Sequence, residues 1–285
     1  MSEISETDLI LNDDQSVYHL NLKPEHLSET IITVGDPGRV YTVSQFFDDV
    51  DFEMNKREFI THIGNYKGKR ITVMSTGMGT DNIEVVLTEL DVLANIDLKS
   101  RTINPNKKKL EIIRIGTSAS IQSDIRLGSH LVSNYAVGLD GLMNFFDLPQ
   151  NEFESNIGKK LQEQLGFDFT PYIVKGSENL KKRVAFDMIE GNTLTAPGFY
   201  VPQGRKLRIT PKHQNLIDKL GYFHEDDFWL TNFEMETAGY YALGNLLGHE
   251  VLSLNAIIAN RVRNRFSKKP AKVIESLIKK VLERI

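Results

Sequence analysis

The chain contains no cysteine. That absence excludes disulfides, thiolate zinc sites, iron–sulfur clusters and thiol nucleophiles together. A strong charge of one sign is missing too. Its 34 lysines and arginines against 38 aspartates and glutamates leave a formal net charge of −4, which gives no electrostatic case for nucleic acid or an anionic membrane. No apolar run approaches the ~20 residues that span a bilayer. His19, His26, His62, His130, His213, His224 and His249 are scattered, with no i,i+4 pair beside a glutamate, so no transition-metal site is expected. The acidic start Met1-Ser2-Glu3-Ile4-Ser5-Glu6 lacks the basic and apolar regions of a signal peptide, and a cytoplasmic protein is the expectation. Chemistry is left to oxygen, imidazole, arginine and backbone groups.

What is present is an α/β pattern. Three β-type runs end in small-residue loops: Thr30 through Val34 before Gly35-Asp36-Pro37-Gly38-Arg39, Arg70 through Ser75 before Gly77-Met78-Gly79, and Glu111 through Ile115 before Gly116-Thr117. Near-continuous apolar runs bounded by glycine suit strands buried on both faces of a mostly parallel sheet. Similar runs start at His130 and Val251. Helical spacing lies between them, with Ile83, Val86, Leu87, Leu90 and Ala94 on one face and Asp81 with Glu84 reading as a capping box. Further helices are expected from Phe153 to a stop at Gly166, from Met235 to Gly248, and from Pro270 onward. The expected fold is a three-layer α/β/α sandwich around a mixed, mostly parallel sheet. It is read as a single domain over residues 1–285 with a short N-terminal arm, residues 1–15. The polar run at residues 99–110 reads as a solvated connecting loop.

In such sheets ligands sit beyond the carboxyl ends of the strands, where the three loops fall. Arg39 and Arg114 each lie within four residues of a glycine turn. A guanidinium matches phosphate or carboxylate in two parallel hydrogen bonds, so the two together point to an anion site. Gly77 and Gly79 lack the third glycine and the later acidic residue of a dinucleotide fingerprint, which excludes a Rossmann cofactor.

Four segments in order, Val34-Gly35-Asp36-Pro37-Gly38-Arg39, Ser75-Thr76-Gly77-Met78-Gly79, Ile113-Arg114-Ile115-Gly116-Thr117 and Phe233-Glu234-Met235-Glu236, resemble motifs of the nucleoside phosphorylase-I family. Phe199-Tyr200-Val201-Pro202-Gln203-Gly204-Arg205 resembles the pyrimidine-binding insertion of its uridine-cleaving members. The resemblance implies that family's fold and a pentosyl-transferring enzyme that cleaves uridine with phosphate. Purine nucleosides or thymidine stand as alternative substrates, and a non-catalytic nucleoside-binding protein as an alternative of another class. It places phosphate on Gly35, Arg39, Arg114 and Thr117, with Arg57 lent by a neighbouring subunit. It places the base on Phe199, Gln203, Arg205 and Arg261, and the ribose on Met235 and Glu236, with His19 lent by the neighbour. For Glu234 two readings stand, a sugar contact and compensation of a helix dipole. Arg114, Gln203, Arg205 and Glu236 are the implied catalytic residues, and at least a homodimer is implied. No organic cofactor is expected, phosphate being a co-substrate; Glu58 matches a residue that helps hold a monovalent cation, K+ for example, in some relatives. Departures are Thr80-Asp81-Asn82, where the family usually has Gly-Pro-Ser, and Phe233, where bacterial relatives often have tyrosine. Ala259-Asn260-Arg261 lacks the aspartate with which bacterial purine phosphorylases protonate their base. Arg114→Ala is expected to abolish phosphorolysis with little loss of folding.

Overall fold

A computed structural model describes residues 3–285. The strands are β1 (Thr30–Val34), β2 (Asp49–Lys56), β3 (Phe59–Tyr66), β4 (Lys69–Ser75), β5 (Ile96–Asp97), β6 (Thr102–Ile103), β7 (Glu111–Ser120) and β8 (His130–Gly138). They continue with β9 (Tyr172–Lys175), β10 (Ile189–Thr195), β11 (His224–Glu225), β12 (Phe228–Trp229), β13 (Asn232–Glu234), β14 (Glu250–Asn260) and β15 (Arg265–Phe266). The helices are α1 (Pro37–Ser44), α2 (Thr80–Asn95), α3 (Glu152–Leu165), α4 (Glu178–Val184), α5 (Leu216–Gly221), α6 (Thr237–Leu247) and α7 (Pro270–Leu282).

Eleven strands form one mixed sheet, the central layer of the α/β fold. Period-2 alternation sends its two faces to different helices. Ile31, Ile112 and Val251 pack with α2 and α6, while Ile32, Val34, Ile113, Leu252 and Leu254 pack with α1, α4 and α7. A third core joins α3 and α5 to Val137, Leu194 and Phe233. Among the described residues no helix is long and apolar enough to cross a membrane.

Strand β7 organises the sheet. It runs parallel to β14 on one edge; on the other it pairs with β1 through residues 111–114 and with β13 at Ala119 and Ser120. Residues 115–118 have no ladder partner on that second edge. Beyond β1 the sheet continues as the wing β4, β3 and β2, whereas β7, β14, β8, β10 and β13 pair in a closed ring. The gap between wing and ring is the switch point at which the sheet opens toward a ligand.

Local structure follows sequence signals in most places. Asn151 and Glu154 form a reciprocal capping box at the start of α3, and Gly166 closes that helix in the left-handed conformation. Asp36 caps α1 by accepting from the Gly38 N–H, with Pro37 in the first turn. Three expectations are corrected. The capping box expected at Asp81 and Glu84 is not formed, because Gly79, at φ 95°, is itself the N-cap of α2. Thr117 lies within β7 rather than in a loop, because pairing with β14 carries the strand on to Ser120. The polar run at residues 99–110 is not merely solvated. Its β5–β6 turn presents Arg101, whose guanidinium donates to the carbonyls of Ile4, Ser5 and Leu9 and whose own carbonyl accepts from the Ile4 N–H, fastening the N-terminal arm.

Candidate active site

The anion end is built where β1 and β4 terminate and where β7 parts from β1 after Arg114. Gly35 comes so close to the neighbouring loop that a Cβ would stand 3.2 Å from the Gly77 carbonyl oxygen. Arg39, on the first turns of α1, reaches across the gap with Nη1 3.5 Å from the Ile115 carbonyl oxygen, one of the groups β7 leaves unpaired there. Burial pushes its pKa down, assisted by Arg114 and opposed by Asp36.

Arg114 points to the α2/α6 face of the sheet, opposite to Ile113 and Ile115, and is buried. Its Nη1 lies 3.2 Å from Ser253 Oγ and 3.4 Å from Asn255 Oδ1; its Nη2 lies 2.6 Å from Glu236 and 2.9 Å from Glu234. The guanidinium folds back over Gly116, where a Cβ would stand 2.1 Å from Nη1. Gly116 therefore makes room within β7 for the Arg114 guanidinium. Burial works against the charge of Arg114, but Glu234 and Glu236 outweigh it and push the pKa up. The Glu236 carboxyl is raised, first by burial and further by Glu234, with Arg114 opposing. Two buried carboxylates thus share one buried guanidinium.

The two glutamates do different work. Glu234 Oε1 accepts from Thr195 Oγ1 at 2.6 Å, and its two oxygens also take the N–H groups of Glu236 and Thr237. With Arg114 added, its acceptor capacity is filled, and it acts as the side-chain acceptor at the start of α6. Of the two readings of Glu234, these bonds favour the helix-start one, although the residue also lines the cavity. Glu236 accepts from the Gly79 N–H at 2.9 Å and from Arg114, leaving each oxygen one lone pair toward the cavity.

At the other end, residues 199–205 wrap a short 3-10 turn, Val201–Gln203. Gln203 is buried and its Oε1 accepts from Arg205 Nη1 at 2.7 Å, so the amide N–H2 is left free to donate. Arg205 also donates to the Phe199 carbonyl and lies over the Phe199 ring, 3.7 Å from its centroid. Burial and the neighbouring Arg261 press its pKa down to about 10, which leaves it charged at neutral pH. Arg261 is corrected as a base contact: it does not line the cavity, and its guanidinium holds the Gln203 backbone carbonyl at 2.8 Å from behind. Asn260 is occupied as well, donating to the carbonyls of Gln122 and Ile125 and accepting from the Arg263 N–H.

One cavity of about 630 Å³ joins the two ends. Gly35, Arg39, Glu58, Arg114, Thr117, Phe199, Gln203, Arg205, Glu234, Met235 and Glu236 all line it. Its size suits a nucleoside-sized ligand. Sequence reasoning missed Met78, Ile258 and Phe266 in the walls, and Ser253 and Asn255 behind Arg114. Only the loop position of Met78 could have signalled its place; the others are ordinary strand residues until the chain is folded.

His19 and Arg57 lie outside this cavity. Arg57, at φ 54° on the exposed β2–β3 turn, stands over the Tyr18 ring, and Tyr18 meets the His19 ring edge-on. The Glu89 carboxylate fixes that corner, accepting from the N–H groups of His19 and Leu20 and lying 2.7 Å from His19 Nδ1. Glu58, the residue matched to a cation site, has its Oε1 3.3 Å from the Asn82 amide nitrogen.

A mixed α/β sheet with a cavity at its switch point, two arginines at one end and an amide at the other, has the form of an enzyme site for a small ligand. The family model of the Phosphorylase superfamily matches residues 29–283, and the chain belongs to that superfamily. Uridine phosphorylase of Thermococcus kodakarensis is 28% identical over 271 residues, covering 93% of this chain and 86% of its own. The DeoD-type purine nucleoside phosphorylase of Bacillus thuringiensis is also 28% identical, over 241 residues and 83% of each chain. Among solved structures, a Trypanosoma brucei nucleoside phosphorylase described as showing uridine phosphorylase activity matches with a TM-score of 0.89 at 27% identity, covering 97% of this chain and 99% of its own.

Proposed function

We propose that the protein catalyses reversible phosphorolysis of uridine to uracil and ribose 1-phosphate. The observation that carries this reading is the polarity of the cavity. Its lining carboxylates, Asp36, Glu58, Glu234 and Glu236, accompany the anion and sugar region, while Phe199, Gln203, Arg205, Ile258, Ala259 and Phe266 at the other end include no acid. A purine leaving group calls for a proton donor at the base, and the late-strand stretch Ala259-Asn260-Arg261, which by resemblance corresponds to the one that carries it in bacterial purine phosphorylases, holds no acid. A pyrimidine leaving as an anion calls instead for positive charge and N–H groups, which Arg205 and the Gln203 amide supply.

In this reading phosphate lies on Gly35, Arg39, Arg114 and Thr117, and a phosphate oxygen attacks C1′ from the face opposite the base. The C1′–N1 bond breaks with its electron pair passing to the uracil ring, and the proton of hydrogen phosphate ends on uracil. Positive charge developing on the ribose is stabilised by the phosphate beneath it, and Glu236 with Met235 holds the sugar. The protein contributes positioning and electrostatics, and no side chain becomes a nucleophile. His19 and Arg57 complete the site of a second copy of the chain. Their grouping on an exposed corner away from their own cavity supports that assignment.

Incubating the protein with uridine, thymidine and inosine, each with and without phosphate, tests the reading. Free uracil from uridine only when phosphate is present is the expected result. Faster turnover of inosine or thymidine overturns the base assignment, phosphate-independent cleavage overturns phosphorolysis, and uridine binding without turnover leaves a nucleoside-binding protein.

A further inference from the structure

A second basic concavity lies on the other side of the β15 strand. Residues 261–272 carry Arg261, Arg263, Arg265, Lys268, Lys269 and Lys272 and no acidic residue, in a chain whose net charge is −4. Arg261 is used internally, but Arg265, Lys268, Lys269 and Lys272 line a groove of about 780 Å³ between β15 and α7. None of these four has a carboxylate within ion-pair distance among the described residues. The contrast with the earlier basic run is instructive: Lys109 pairs with Glu250 and Arg101 is bound to backbone carbonyls. Four like charges held together without counterions repel one another, and an anion relieves that cost.

The groove is also partly apolar. Leu127, Val273 and the largely exposed Phe266 ring form its floor and one wall. Among the described residues no carboxylate lines it. Lys269 is the N-cap of the 13-residue α7 and places no side-chain acceptor on its first turn, whose dipole adds positive potential at the same end. Cations alone fit any phosphate; cations beside an aromatic face and aliphatic side chains fit phosphates attached to a planar ring.

We infer that the groove between β15 and α7 binds a nucleoside polyphosphate, its phosphates on Lys268, Lys269 and Lys272 and its base against Phe266 and Val273. Phe266 belongs to this groove and to the catalytic cavity, and the Ser267 N–H donates to the Ile258 carbonyl at 2.7 Å, so an occupant presses on the wall of the base end. The inference concerns binding and does not depend on the uridine reading.

The test is calorimetric titration of the full-length protein with uridine triphosphate at low ionic strength, against uridine and inorganic phosphate. The double variant Lys268→Glu/Lys272→Glu changes only exposed side chains outside the catalytic cavity. Uridine triphosphate is expected to bind more tightly than uridine or phosphate, with its Kd rising at least ~10-fold in the double variant and steeply with salt. Equal affinity of wild type and variant for uridine triphosphate overturns the inference. So does phosphate binding as tightly as the nucleotide, or an RNA oligomer binding more tightly still.

Discussion

The two ends of the cavity are made by different means. The anion end is sheet: Gly35 follows β1, Arg114 and Thr117 belong to β7, and Ser253 and Asn255 behind Arg114 belong to β14. Its charges are buried and bonded to one another, so function and stability share the same atoms. The base end is mostly a surface segment wrapped over the core, in which Phe199 and Tyr200 are about half exposed and Arg205 bonds within its own turn. A change at the first end should disturb folding and chemistry together, whereas a change at the second should disturb recognition alone.

The sharpest way to break this contrast is Arg114→Ala. If Arg114 holds phosphate as proposed, its removal should lower kcat/KM by about 10³-fold. The expectation that folding is spared does not survive the structure. The substitution leaves Glu234 and Glu236 facing each other in the core without their shared partner, and losing one member of a buried ion pair costs about 3–5 kcal/mol. Thermal unfolding of the purified variant measures it; an unchanged Tm would show that Arg114 is not the pin of the anion end.

Arg205→Ala probes the opposite side. Its guanidinium contacts Gln203, the Phe199 carbonyl and the Phe199 ring, all within six residues, so its loss leaves no buried charge behind. We expect kcat/KM for nucleoside to fall by about 10²-fold while stability changes by less than about 1 kcal/mol. The KM for phosphate should hold. Equal damage to both Michaelis constants would show that the two ends are not separable.

The same division explains what the sequence made legible. The glycine-punctuated strand ends and the apolar faces of α2, α3 and α7 are local signals, and Arg39 and Arg114 lie within such signals, whereas Gln203 and Arg205 read locally as a polar loop and stand out only through the family resemblance. What could not be read was any role fixed by distant partners. Glu234 differs from Glu236 because Thr195, 39 residues earlier, and the N–H groups at the start of α6 fill its oxygens. Arg261 faces the Gln203 backbone rather than a ligand because two segments 58 residues apart meet there. Arg101 reads as one more cation in a polar loop until the carbonyls of the N-terminal arm close on it, 92 to 97 residues away. Periodicity and turn chemistry carry no information about such pairings.

The smallest effect gives the finest resolution of the anion end. Glu236 has its pKa raised, chiefly by burial, so the folded protein holds that proton more tightly than the unfolded chain. A group of this kind contributes its full stability below the unfolded pKa, near the ordinary glutamate value, and loses it as pH rises through the folded pKa. Glutamine imitates the protonated form and can still accept the Gly79 N–H through its own carbonyl oxygen. It also leaves Arg114 and Glu234 as a neutral pair rather than one cation between two anions. Glu236→Gln should therefore be more stable than the wild type at pH 7 to 8, by something on the order of 1 kcal/mol, while phosphorolysis falls for want of the sugar acceptor. The gap in Tm should close as the pH drops through the acid range, where the wild-type carboxyl is protonated as well. A variant less stable than the wild type at neutral pH, with a gap that does not narrow in acid, would mean that the Glu236 carboxylate is a net support of the fold.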